Sequence, residues 1–142
     1  MNREITVEYI ENRVKENEPI FKEIFDKHDC AYAILQLPMG CDYKFSDLST
    51  VIERMRKMPS RNDYKLVYAS EIDPNSVGLM SSKKIAETIF MMFNAPNRPG
   101  FDENYYGTSV SVSDIIVVKC GHITFAFYTN IVGFERIVNF EV

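Results

Sequence analysis

Two histidine–cysteine pairs are the residues of this chain best equipped for chemistry. His28-Asp29-Cys30 and Cys120-Gly121-His122 each place an imidazole two positions from a thiol. Together they offer four donors of the kind zinc takes, but paired ligands in structural zinc sites are usually separated by about two to four residues. Here one residue intervenes. The spacing therefore argues against a metal. Cys30 and Cys120 read as small buried apolar side chains, and His28 and His122 as exposed turn residues. A Cys–His nucleophile needs only that the partners meet in space. Nothing in the local sequence brings them together.

The next candidates are Ser109, Ser111 and Ser113, which alternate on one predicted strand face. A nucleophilic serine normally sits on a sharp turn beside a base. Three alternating serines are instead a half-exposed polar face. Asp114 follows them at the junction with an apolar run and reads as the cap of a turn or bulge, accepting backbone N–H bonds. The six glycines are scattered, so no phosphate-cradling loop is present. Arg54, Arg56, Lys57, Arg61 and Lys65 form a local basic patch, read as a solvated helix end.

These residues must be held by elements that the pattern of apolar positions predicts. The stretch 105–134 carries the densest β signal. Residues 109–113 alternate, 115–118 are an unbroken β-branched run, and Ile123, Phe125 and Phe127 alternate on a returning strand. Lys119-Cys120-Gly121-His122 reads as the turn of this central hairpin. Val110, Val112, Ile115, Val117, Phe125 and Phe127 are its expected core positions. Further strands are expected at 31–37, 64–70 and in the tail 135–142. A short one at 42–45 would form a hairpin with 31–37. Helices are expected at 47–58 and 81–93, each with an apolar stripe and a Ser or Asp cap. At the N-terminus, Pro19 splits the pattern, which predicts a bent helical arm of two pieces rather than one long helix. The fold class is α+β: a small mixed or antiparallel sheet with a central hairpin, covered by two helices and an N-terminal helical arm. Residues 1–29 form the arm and 30–142 the α+β domain, within one compact unit.

The 142 residues fit one domain able to bury a core. No apolar run approaches the roughly 20 residues that span a bilayer, and the charged N-terminus lacks a signal core. A cytoplasmic protein is expected, with Cys30, Cys41 and Cys120 reduced. The net charge of −4 is unevenly spread: residues 1–29 and 102–142 are each net −3, and 30–101 are net +2. That balance lacks the basic footprint of nucleic-acid binding and leaves a basic protein partner open. No cofactor is expected.

Several blocks, in order, resemble the YodL-like domain family of Firmicutes and their phages, plasmids and conjugative elements. They begin with Ala31-Tyr32-Ala33-Ile34-Leu35-Gln36-Leu37. Asn62-Asp63-Tyr64-Lys65-Leu66-Val67-Tyr68 is close to the family's D-x-Y-E-L-V-Y, and Phe93-Asn94 before a proline-bearing loop to Phe101 is similar to its F-N stretch. Gly107-Thr108-Ser109-Val110-Ser111-Val112-Ser113-Asp114 is close to G-H-S-L-S-V-S-D. The segment from Tyr128 to Phe134 ends in Gly133-Phe134, as the family's Y-V-D-S-F-G-F does. Thr108 replaces the family's usual histidine and Asn130 its usual aspartate. The resemblance covers about 31–142 and leaves the arm out.

That resemblance implies a small accessory protein of a mobile element, not an enzyme. It points to binding and inhibition of a host protein, best a defence nuclease of the Cas9 or restriction type. A modulator of a host cytoskeletal protein and an uncharacterised enzyme are the alternatives. Glu4, Glu8 and Glu11 on the arm, Ser113 and Asp114 on the hairpin, and Arg98 in the 94–100 loop are the expected partner contacts. Neither a membrane nor nucleic acid is expected to be bound directly.

Overall fold

The β-branched run 115–118 lies where such a run is best sheltered, in the middle strand of a sheet. The computed structural model describes residues 7–94 and 110–142. Five strands, β1 (Cys30–Gln36), β2 (Lys65–Glu71), β3 (Ile115–Cys120), β4 (Ile123–Thr129) and β5 (Phe134–Ile137), form one sheet. Their order is β2-β1-β3-β4-β5, and every neighbouring pair is antiparallel. The β3–β4 hairpin turns in two residues, Gly121 and His122, with Gly121 at φ 65. A tight hairpin of this kind needs a positive φ, which glycine adopts without strain. Ile115, Ile116, Val117 and Val118 are all fully buried.

Among the described residues, four α-helices accompany the sheet: α1 (Val7–Lys27), α2 (Leu48–Met55), α3 (Pro74–Val77) and α4 (Ser82–Phe93). Ser81 Oγ accepts the Lys84 amide and caps α4. Ile85, Ala86, Ile89 and Phe93 then form the buried stripe of that helix. Phe93 packs at a tilt against Tyr32 and Tyr68 of the sheet. None of the described helices is long and apolar enough to cross a membrane.

Several expectations are corrected. The arm is one helix, running unbroken through Pro19. An internal proline costs about 3 kcal/mol. Val14, Phe21 and Phe25 on the same helix are buried in the common core, and each contributes about 1.5–3 kcal/mol. Packing therefore outweighs the break. The C-terminus of α1 is also held, because Lys119 Nζ donates to the carbonyls of Phe25 at 2.7 Å and Asp26 at 3.2 Å.

Residues 42–45 are a turn, not a strand, because β1 is already paired on both edges by β2 and β3. Residues 111–114 likewise turn instead of extending, and Val112 is only half-buried. The α2 helix ends at Met55, short of the expected 58, because Arg56 takes a left-handed conformation at φ 60. Residues 73–78, which read as a loop, contain the one-turn α3, with Pro74 at its start and Asp73 accepting the Asn75 amide. Phe125 is half-buried, with the Arg136 guanidinium 4.4 Å over its ring. The expected loop at 94–100 falls almost wholly outside the described residues, as does Ser109.

Candidate functional site

Ser113 and Asp114 lie at the end of the sheet where β1 and β4 finish and β2 and β3 begin. Ser113 has φ 81, a left-handed conformation that a non-glycine residue adopts only when held. Three bonds hold it. Its Oγ accepts the Phe45 amide at 3.0 Å, its carbonyl accepts the Tyr64 hydroxyl at 2.9 Å, and its amide donates to the Thr129 carbonyl at 2.8 Å. Asp114 Oδ2 accepts Gln36 Nε2 at 3.0 Å and the Ser111 amide at 2.9 Å. The turn-capping role read from the sequence is therefore what Asp114 performs.

Both residues are fully buried. Their side chains are not on the surface that a rigid partner would touch, so the expectation of partner contacts at Ser113 and Asp114 is corrected. Burial raises the Asp114 carboxyl to about 7. Lys44, the Ser111 amide and the Gln36 amide pull it back towards its ordinary value. Lys44 is itself lowered by burial, an effect that Asp114 opposes, and its Nζ donates to the Leu37 carbonyl at 2.9 Å. Asp114 Oδ1, Ser111 Oγ and Thr129 Oγ1 are buried without a hydrogen-bond partner among the described residues. This is a closed polar knot that fixes one end of the sheet.

The knot extends to α2. Asn130 Oδ1 accepts the Leu48 amide at 2.9 Å, and Asp47 Oδ1 accepts the Ile131 amide at 2.6 Å. Asp47 makes no cap bond to its own helix. Asn130, in the turn after β4, thus supplies the N-terminal cap of α2 from outside the helix.

Of the arm residues, Glu4 lies outside the described residues and Glu8 is exposed. Glu11 Oε1 accepts the Met39 amide at 3.0 Å. Glu11 is therefore tied to the loop after β1 and is not part of a free acidic face, which corrects that expectation. Arg98 and Thr108 also lie outside the described residues. In the basic patch, Lys57 pairs with Asp63, and Arg61 pairs with Glu18 of α1, so two of its charges are neutralised internally.

The histidine–cysteine residues divide. Cys30 and Cys120 face each other in the β1–β3 register and are half-buried, not buried as expected. His28, expected in an exposed turn, is half-buried, with Nδ1 3.2 Å from Glu71 Oε2. His122 is exposed in the hairpin turn. Among the described residues, no three His, Cys, Asp or Glu side chains are placed to hold a metal ion.

The opposite end of the α4 face opens into a groove of about 450 Å³ between that helix, α3 and the ends of β1 and β2. Tyr32 and Ile72 line it from the sheet side, and Val77, Met80, Ile89 and Met92 from the helices. Much of its polar chemistry is already used. Ser76 Oγ donates to the Asp73 carbonyl and Thr88 Oγ1 to the Lys84 carbonyl. Glu71 and Asp73 also line it, Glu71 beside His28 and Asp73 accepting the Asn75 amide. Leu79, Met91 and Met92 are exposed, Leu79 fully. The groove was missed in the sequence, although signals were present. Met91 and Met92 fall off the apolar stripe of α4, and Leu79 and Met80 follow a glycine that ends a one-turn helix.

No curated protein and no solved structure matches the chain. A family model, that of the YodL-like domain, matches residues 31–140 and so takes in the whole polar knot, the groove and all but the first residue of the sheet. By that match the chain belongs to the YodL-like domain family.

Proposed function

We propose that this chain is a non-enzymatic binding protein of a mobile element. In this reading it acts in the cytoplasm of a bacterial host by occupying a host protein, with a defence nuclease of the Cas9 or restriction type as the best fit. The observation that carries the binding reading is the apolar groove with its exposed rim. Large apolar side chains in contact with water, gathered beside a concave surface, mark interaction sites. Methionine walls adapt to the shape of an incoming side chain. The occupant that fits is a protein segment presenting apolar side chains beside a basic residue, which would meet Glu71 and Asp73. The nuclease assignment draws on the family resemblance and on the basic surfaces that nucleases use for phosphate.

The groove supports this better than Asp114 supports catalysis. The strongly shifted acid is fully buried and its bonded oxygen is spent on the fold. A panel of Cas9-type and restriction nucleases, assayed for cleavage in the presence of the protein, tests the proposal. Suppression of at least one nuclease at a stoichiometric ratio is expected. Full activity across the panel at excess protein would overturn it.

A further inference from the structure

Cys30 and Cys120 sit directly opposite one another at the end of the β1–β3 ladder. The next pair along, Asp29 and Gly121, is joined by a backbone bond from the Gly121 amide at 2.8 Å. Hydrogen-bonded and non-hydrogen-bonded pairs alternate in an antiparallel ladder, so Cys30–Cys120 is of the non-hydrogen-bonded kind. In such pairs the Cα atoms approach to about 4.5 Å and the side chains are closest. That separation lies within the range a disulfide spans. Cys30 lies near enough to Cys120 to raise its thiol. Both are half-buried, which leaves them open to a small oxidant. The third cysteine, Cys41, lies beyond the far end of β1, near Tyr43.

We propose that Cys30 and Cys120 are an oxidation site that closes reversibly into a cross-strand disulfide under the control of a thiol–disulfide buffer. With glutathione disulfide as oxidant, one cysteine thiolate attacks a glutathione sulfur and expels a glutathione thiolate. The second cysteine thiolate then attacks the protein sulfur of the mixed disulfide and expels the other glutathione. The protein dithiol loses two electrons and two protons, and one glutathione disulfide becomes two glutathione molecules. The bond ties residue 30 to residue 120, which restricts the unfolded chain and stiffens the sheet end that carries α1 and β2. Here the Ile72 amide donates to the Cys30 carbonyl at 2.8 Å. Burial, with a smaller contribution from Cys30, pushes the Cys120 thiol above its ordinary value. Closure is therefore slow at neutral pH and speeds up as pH rises.

The test equilibrates the full chain in glutathione buffers of graded ratio, traps free thiols by alkylation, and reads intact mass, peptide map and melting temperature. The expected product is a monomer that carries one alkyl group where the fully reduced chain carries three, the two thiol hydrogens of Cys30 and Cys120 having been lost to the bond. Its map should join the Cys30 and Cys120 peptides and leave Cys41 alkylated. Its melting temperature should be several degrees higher, and dithiothreitol should reverse it. Cys41→Ser should behave as wild type, whereas Cys120→Ser should stop at one glutathione adduct on Cys30 without the thermal shift. No reaction in fully oxidised buffer would overturn the proposal. So would a bond through Cys41 or between chains, a persistent mixed disulfide on the wild type, or a melting temperature that fails to rise.

Discussion

Asn130 caps a helix to which it does not belong: its side-chain oxygen takes the Leu48 amide at 2.9 Å, at the first turn of α2. Asp47 returns the favour to the Ile131 amide, so the helix start and the β4–β5 turn fix each other. Removing an N-cap typically costs about 1 kcal/mol. Asn130→Ala should lower the unfolding free energy by about that amount in a urea titration. Asn130→Asp should fold with near wild-type stability, because a carboxylate caps a helix as well as an amide does. A larger loss for Asp than for Ala would show that the cap is not what the residue contributes.

Asp114 makes stability depend on pH in an unusual direction. Its carboxyl rises from 3.8 in the unfolded chain to about 7 in the fold, chiefly through burial. The folded state therefore binds more protons between those values. The contribution is fully present below about 4 and is lost as pH rises through about 7. Three pH units correspond to at most about 4 kcal/mol. Asp114→Asn keeps an oxygen for Gln36 and the Ser111 amide but cannot ionise. Its stability curve between pH 4 and 8 should be flatter than wild type and should lie above it at pH 8. Parallel curves would place the carboxyl's titration elsewhere.

Much of the fold was legible in the sequence because its strongest signals were local. The β-branched run 115–118, the tyrosine-rich 64–70 and the Ser81 cap each specify an element without help from distant residues. What escaped depended on the rest of the structure. Pro19 breaks a helix in isolation, but α1 has Val14 and Phe25 anchored on either side of it. Ser111, Val112 and Ser113 alternate as a strand does, yet Ser113 is bent by bonds to Phe45, Tyr64 and Thr129, which are remote in sequence. The turn-capping role of Asp114 was readable from the residue type. Its burial and its link to Gln36 were not.

Pro19 offers a direct check on that balance. It is exposed on α1, so replacing it removes no core contact and restores a helical N–H donor. Pro19→Ala should raise the unfolding free energy by about 1–3 kcal/mol. A decrease in a denaturant titration would mean that the proline ring is itself a needed contact.

The two stacked phenylalanines of β4 should separate by burial. Phe127 is buried and Phe125 half-buried. Phe127→Ala should cost about 3–5 kcal/mol through lost transfer energy and a cavity. Phe125→Ala should cost about 1–2 kcal/mol, because its ring keeps part of its contact with water in the fold. Equal losses in calorimetry would contradict this difference in burial.

The groove lined by Met80 and Met92, with the fully exposed Leu79 next to Met80 in the chain, is proposed to hold a host protein. The most direct measurement is a cleavage titration of the nuclease panel with the wild type and with Leu79→Asp/Met92→Glu, after both have been shown to melt within a few degrees of each other. Exposed substitutions of this kind should leave the fold intact. The wild type should suppress at least one nuclease at a stoichiometric ratio, and the variant should need at least roughly ten times more protein, a loss of about 1.4 kcal/mol. Full cleavage at excess wild-type protein, or equal suppression by the variant, would contradict it.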